Sequence, residues 1–181
     1  MADTADTTVY SPIWADDTRE PLPLTGDERT LLVALLDWHR ETFALKCAGV
    51  PPERLSEKAV PPSVLSLHGL VRHLAGNERW WFRMQFRGED VAHLYYSDDD
   101  PDQDLESLDG DVDEAFAVWR AECAISREIV AAASLDDTGI QRSTGKPISL
   151  RRIMLHTIAE YARHNGHADL LRERIDGAIG H

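Results

Sequence analysis

The sequence predicts an all-α fold, a four-helix bundle with long connections, on three observations. Four stretches of about 20 residues repeat apolar side chains at alternating three- and four-residue steps, the spacing that lines one face of an α-helix. Segments rich in Pro, Gly and acidic residues separate them. No alternating strand pattern, internal repeat or glycine-rich phosphate loop interrupts the plan. Amphipathic helices of this length pack side by side, and bundles of this kind build their sites between facing helices.

Residues 1–24 read as an N-terminal arm, in which Pro12, Pro21 and Pro23 prevent a helix of useful length and Ile13 and Trp14 offer contacts to the body. The bundle domain is expected over 25–181. Thr25 and Asp27 precede a first helix over about 27–47, with Leu32, Leu35, Leu36, His39 and Phe43 on one side and Gly49-Val50-Pro51-Pro52 as its stop. His39 lies in that stripe, where a hydrogen-bonded core histidine is the plainer reading and a site residue the sharper one. A connection closing in Pro61-Pro62-Ser63 leads to a second helix from Ser63 or Ser66 to about Arg87, stopped by Gly88. Leu67, Leu70, Leu74, Asn77, Trp81 and Met84 form its inner face, with His73 at the edge. Trp80, Trp81 and Phe82 cannot all face one core, so at least one is expected to line a pocket or a homodimer contact.

The acidic run Tyr95-Tyr96-Ser97-Asp98-Asp99-Asp100-Pro101-Asp102 lacks the spacing and terminal Glu of a calcium loop. It reads as a solvated connection whose aromatics cover a pocket mouth. A third helix is predicted from Asp111 to about Ala133, with Val112, Phe116, Trp119, Cys123, Ser126 and Val130 inward. Residues 134–148, with Gly139, Gly145 and Pro147, read as another connection. Ser149 caps the last helix, which extends to about Asp176 with Gly177 beyond. Gly166 inside that helix costs about 1 kcal/mol relative to Ala, which predicts close approach of a neighbour or ligand there.

Length and charge narrow the functions. A chain of 181 residues with 43% hydrophobic content can bury a core without staples. A formal charge of −13 argues against nucleic acid and anionic membrane as partners, because either would meet a surface of its own sign. Cys47 and Cys123 match no metal or redox spacing and read as small buried residues in a reducing compartment. The N-terminus lacks a signal peptide's basic and apolar regions, and no run reaches the roughly 18 apolar residues of a membrane span, so the expected location is cytoplasmic.

The chemistry concentrates in His156-Thr157-Ile158-Ala159-Glu160-Tyr161-Ala162-Arg163-His164-Asn165-Gly166-His167. On a helix, His156, Glu160 and His164 stack one turn apart, and His167 lies close to the same line. Glu160 and His164 share the face of Ile153, Thr157, Ala168, Leu171 and Ile175, so they are expected to point inward. A buried carboxylate and imidazole without partners would each cost several kcal/mol, a penalty that a divalent cation removes. His156 and His167 fit rim or outer positions, with His156 a substitute ligand if the helix is rotated.

Two motifs add a resemblance. Leu70-Val71-Arg72-His73-Leu74-Ala75-Gly76-Asn77-Glu78-Arg79-Trp80-Trp81-Phe82, together with 160–173, resembles the DinB/YfiT-like metalloenzyme superfamily, and within it the mini-circle protein branch. The resemblance extends over about 25–177. It implies a four-helix bundle holding a divalent metal by one His of the second helix and two residues four apart on the last. Glu160 and His164 take the place of the His-x-x-x-His pair of many members, a departure similar to mycothiol-dependent maleylpyruvate isomerase. The implied ligands are therefore His73, Glu160 and His164, with water completing the sphere. Zinc is the first expectation; the carboxylate hardens the site enough that nickel, manganese or iron also suit it.

Two functional readings follow. One is a metal-dependent enzyme for a small-molecule substrate, either a low-molecular-weight-thiol S-transferase of the mycothiol or bacillithiol type or a metal-assisted hydrolase. Its helpers would be His167 and His156 as proton carriers or ligand orienters, with Arg163 and Arg172 for a substrate carboxylate. The other is a non-catalytic bundle, structural or metal-binding, in which the histidines form a satisfied polar network.

Overall fold

The computed structural model describes residues 17, 19–97, 99–108 and 110–179. The contacts expected of Ile13 and Trp14 lie outside these residues. The protein is mostly helical, in the order α1 (Glu28–Cys47), α2 (Pro52–Leu55), α3 (Leu67–Glu78), a π-helical continuation (Arg79–Phe86), α4 (Gln103–Glu106), α5 (Val112–Ala132), β1 (Thr138–Gln141), β2 (Lys146–Ser149) and α6 (Leu150–Asp176). No helix among the described residues is long and apolar enough to cross a membrane.

The helix ends follow local chemistry. Asp27, Ser66, Asp111 and Ser149 each accept a backbone N–H of the first turn, which satisfies a donor the helix itself cannot. Gly177 ends α6 at φ 77°, a left-handed conformation that costs glycine little. α1 packs chiefly along α6, and α3 along α5. Between them Leu36, Phe43, Leu70, Leu74, Ile153 and Met154 are sealed from solvent, each contributing roughly 1.5–3 kcal/mol by leaving water.

Four expectations are corrected. The connection over 134–148 contains a β-hairpin, with Gln141 opposite Lys146 and Thr138 opposite Ser149. Strands of four residues are too short for alternation to show in sequence. The second helix widens into π geometry after Glu78, where Arg87 N–H bonds to Phe82 O, five residues back. That wider turn buries Phe82 and Gln85 and leaves Trp81 half-buried, whereas a continuous α-helix would put Trp81 inward. Gly166 faces solvent, with nothing near an added Cβ, so no close approach explains it. Short helices α2 and α4 stand in segments read as connections.

The glycine that close packing does require is Gly139. A Cβ there would lie 2.2 Å from Gln85 O and 2.4 Å from Phe86 Cα, where β1 crosses the π-helical turn. Arg142 N–H, beyond the end of β1, bonds Gln85 Oε1 at 2.7 Å and fixes the hairpin to the same turn. Gly139→Ala is expected to destabilise the protein by about 3 kcal/mol, the upper range for overpacking, because the obstructing atoms are backbone. Chemical denaturation measures it.

Candidate metal centre

His73 of α3 and Glu160 and His164 of α6 come together across the helix interface. Each offers one ligand atom, and the three atoms lie within 4.8 Å of one another. The rings of His73 and His164 meet edge to face, centroids 4.7 Å apart. His164 Nε2 stands 3.4 Å from Glu160 Oε2. That is the edge of a tetrahedron whose centre is about 2.1 Å from each corner, the bond length of zinc to nitrogen or oxygen. The donor set suits a divalent cation: two imidazoles and a carboxylate, with His164 buried and His73 and Glu160 half-buried.

Hydrogen bonding selects the ring nitrogens. Trp81 Nε1–H donates to Asn77 Oδ1 at 3.2 Å, so the Asn77 amide turns its NH2 toward His73 Nε2, 2.8 Å away. Nε2 therefore carries the lone pair, which the Asn77 amide occupies here and would have to release to an ion, and Nδ1–H donates to the buried carboxylate of Asp104 at 2.8 Å. A carboxylate behind a ligand imidazole fixes its tautomer and orientation and raises its basicity. Asp104 sits on α4, two residues beyond the acidic run Tyr95–Asp102. Its only signal was its place beside a run of aspartates. Asp104→Asn is expected to weaken metal affinity about 10- to 100-fold, as loss of such outer partners does. Competition against a chromophoric chelator reads this directly.

On α6, His164 Nδ1 lies 3.3 Å from His167 Nδ1, so one proton shared there leaves Nε2 facing Glu160. Burial, then the neighbouring His73, His167 and Arg163, push the His164 ring down to about 3. A neutral imidazole is the form that binds metal. In the metal-free protein the sign is clear. The unfolded ring takes up its proton near 6.5 and the folded ring only near 3, so the unfolded state binds more protons across that window. Stability of the stripped protein is expected to fall as pH drops from 6.5 toward 3, and His164→Gln to flatten that part of the curve in urea titrations.

Two of the remaining sequence candidates, His156 and Arg163, occupy the rim. His156 Nε2 is 4.0 Å from Glu160 Oε1, and its ring packs edge to face on Trp81 with centroids 4.4 Å apart. Arg163, 60% exposed, donates to Glu160 Oε1 at 2.9 Å, so its charge holds the ligand carboxylate. Arg172 does not reach the site. It is buried, bonding the carbonyls of Lys46 and Ala48 at the end of α1 and the Asp176 carboxylate. His39 is a boundary histidine beside Asn165, whose NH2 lies 3.3 Å from its Nδ1, in agreement with the plainer reading.

A cavity of about 120 Å³ adjoins His73, lined by Gly76, Asn77, Trp80, Tyr96, Pro101 and Asp104. Trp80 and Tyr96 sandwich His93 at 5.3 and 4.6 Å between centroids, so of the aromatics of the acidic connection Tyr96 lines this cavity. A larger cavity, about 530 Å³, lies between α1 and α5 over Leu36 and Met154 and contains none of the triad. The chemistry points to the smaller one, because donor atoms, not volume, determine what a site can do.

The model of a family described as Mycothiol-S-transferase matches residues 31–177, from the first turn of α1 to the end of α6. The fold is similar to that of a conserved protein from Enterococcus faecalis, with a TM-score of 0.58 over 84% of this chain and 99% of that one. The two are 15% identical, a likeness of fold alone. No curated protein sequence matches.

Proposed function

The chain belongs to the mycothiol-S-transferase family, and from that premise we propose that it is a divalent-metal-dependent transferase for a low-molecular-weight thiol of the mycothiol or bacillithiol type. In this reading the four long helical segments form a four-helix bundle of the DinB/YfiT kind, with His73, Glu160 and His164 holding the ion. The observation that carries it is the convergence of those three donors from two helices to within 4.8 Å. Zinc is the assignment that best suits two imidazoles and one carboxylate; nickel, manganese and iron are the alternatives. When bound, the cation supplies Lewis acidity that lowers the pKa of a thiol toward neutrality.

The protein's own groups supply the rest. Asp104 holds the His73 proton on Nδ1 and keeps the ring turned inward. His156 is kept neutral by burial at the rim, which suits it to accept the proton a thiol gives up. His167 holds the orientation of His164. Arg163 fixes the outer oxygen of Glu160 and leaves Oε2 for the ion. The cavity beside His73 admits a small group, and Gly76 keeps it open, since a Cβ there would press on Tyr96 at 3.3 Å. In the transfer, the thiolate sulfur forms a bond to an electrophilic carbon, and the leaving group departs with the bonding pair.

The test is conjugation of mycothiol or bacillithiol to a chromogenic electrophile by zinc-loaded protein. Thiol-dependent turnover that Glu160→Gln abolishes is the expected result. No turnover with either thiol, from fully loaded protein, would return the chain to a metal-binding role without catalysis.

A further inference from the structure

One buried carboxylate touches all four long helical segments. Glu78, at the end of α3, is sealed from solvent and accepts from Arg40 of α1 through both oxygens, Nε to Oε1 at 2.8 Å and Nη2 to Oε2 at 2.7 Å. Tyr161 of α6 donates its hydroxyl to Glu78 Oε1 at 2.8 Å and accepts from Trp119 Nε1 of α5 at 2.8 Å. Cys123 of α5 closes the cluster, its Sγ 3.6 Å from Glu78 Oε1 and from the Tyr161 hydroxyl.

The site's ligands come from α3 and α6, which belong to different helix pairs, since α1 packs chiefly with α6 and α3 with α5. Apolar packing between the pairs is non-directional and tolerates small slides and rotations. Directional bonds do not, and a satisfied buried network fixes one arrangement. The network meets the metal centre in sequence. Tyr161 directly follows Glu160 and precedes His164 by three residues; Glu78 directly follows Asn77, the residue that bonds His73.

We infer that Glu78 and Tyr161 are positioning residues for the metal centre, their hydrogen bond setting the register of α3 against α6 and so the distance from His73 to Glu160 and His164. The inference rests on the reading of that triad as a metal site. It separates the network's role from general stability, because it concerns where the ligands stand in the folded protein.

Cobalt(II) tests it in full-length protein without a histidine tag, through its visible absorption and its affinity by chelator competition. Tyr161→Phe removes one hydroxyl and keeps the ring. It is expected to bind cobalt about 10-fold or more weakly, within the range for lost outer partners, and with a shifted visible spectrum. Leu67→Ala, a cavity at the start of α3 that touches none of these bonds, is the matched control. It is expected to lose stability while keeping the wild-type spectrum and affinity. Wild-type spectrum and affinity in Tyr161→Phe would overturn the inference, as would equal changes in both variants. If the wild type takes up no cobalt, the metal reading fails instead. The crystal structure of Tyr161→Phe then decides the register: His73 and His164 ring centroids still 4.7 Å apart would overturn it, and a widened gap would uphold it.

Discussion

His164→Ala, purified without a histidine tag and offered zinc, is expected to hold the ion more than about 100-fold less tightly than the wild type, beyond the 10- to 100-fold that outer partners cost. The reasoning starts from burial. The His164 side chain is 9% exposed, and its ring stays neutral far below the pH at which a free imidazole charges. It therefore competes for a cation with its lone pair already available, where an exposed histidine must first lose a proton. Ala leaves Glu160 and His73 as two donors from different helices, with water filling the gap. Equal zinc content in both proteins, measured by mass spectrometry after dialysis, would sink the assignment. Glu160→Gln provides the charge test: it keeps an oxygen donor but removes the negative charge that a three-ligand site uses to offset the dication.

How far these residues were legible beforehand differs by residue. Glu160 and His164 could be read from period alone, because a carboxylate and an imidazole on an otherwise apolar helix face need a partner. His73 could not; its place at the stripe edge is that of any boundary histidine, and only the resemblance singled it out. Asp104 was invisible, since one Asp beside an acidic run looks like its neighbours until the chain folds α4 back onto α3. The helix starts were readable to within a few residues because capping is a local hydrogen bond, although the sequence offers Ser63 as well as Ser66 for the second. The hairpin and the π-helical turn were not, as both depend on each other: Gly139 and Gln85 meet only in the folded chain.

The same contrast applies to the core. Arg40, Glu78 and Tyr161 sit on helix faces where their neighbours are apolar, and nothing in the sequence marks Glu78 as buried, because a charged residue usually marks the solvent side. Its burial is tolerable only because Arg40 and the hydrogen bonds around it outweigh the desolvation, holding the carboxyl below its usual range. In the proposed reading, ligand geometry on α3 and α6 thus depends on Glu78 and Tyr161, which stand beside the candidate ligands in the two motifs without being ligands themselves.

Glu78→Ala is the substitution expected to cost the most stability, about 3–5 kcal/mol, because it strands a buried guanidinium. Arg40 is 3% exposed and would keep only the Asp37 carboxylate, while the Tyr161 hydroxyl would lose its acceptor. For a chain of this size the melting temperature should fall on the order of 10 °C. Replacing both partners separates the causes. The Arg40→Met, Glu78→Met protein removes the stranded charge along with the pair, and exchange of a buried ion pair for packed apolar side chains is often close to neutral. It should therefore be markedly more stable than Glu78→Ala, despite carrying two substitutions. If the double variant is instead as unstable as the sum of the single variants Arg40→Met and Glu78→Met, the pair is not coupled and the energetic account given for Glu78 is wrong. If it recovers stability yet binds metal weakly, the network's contribution to the site is separated from its contribution to the fold.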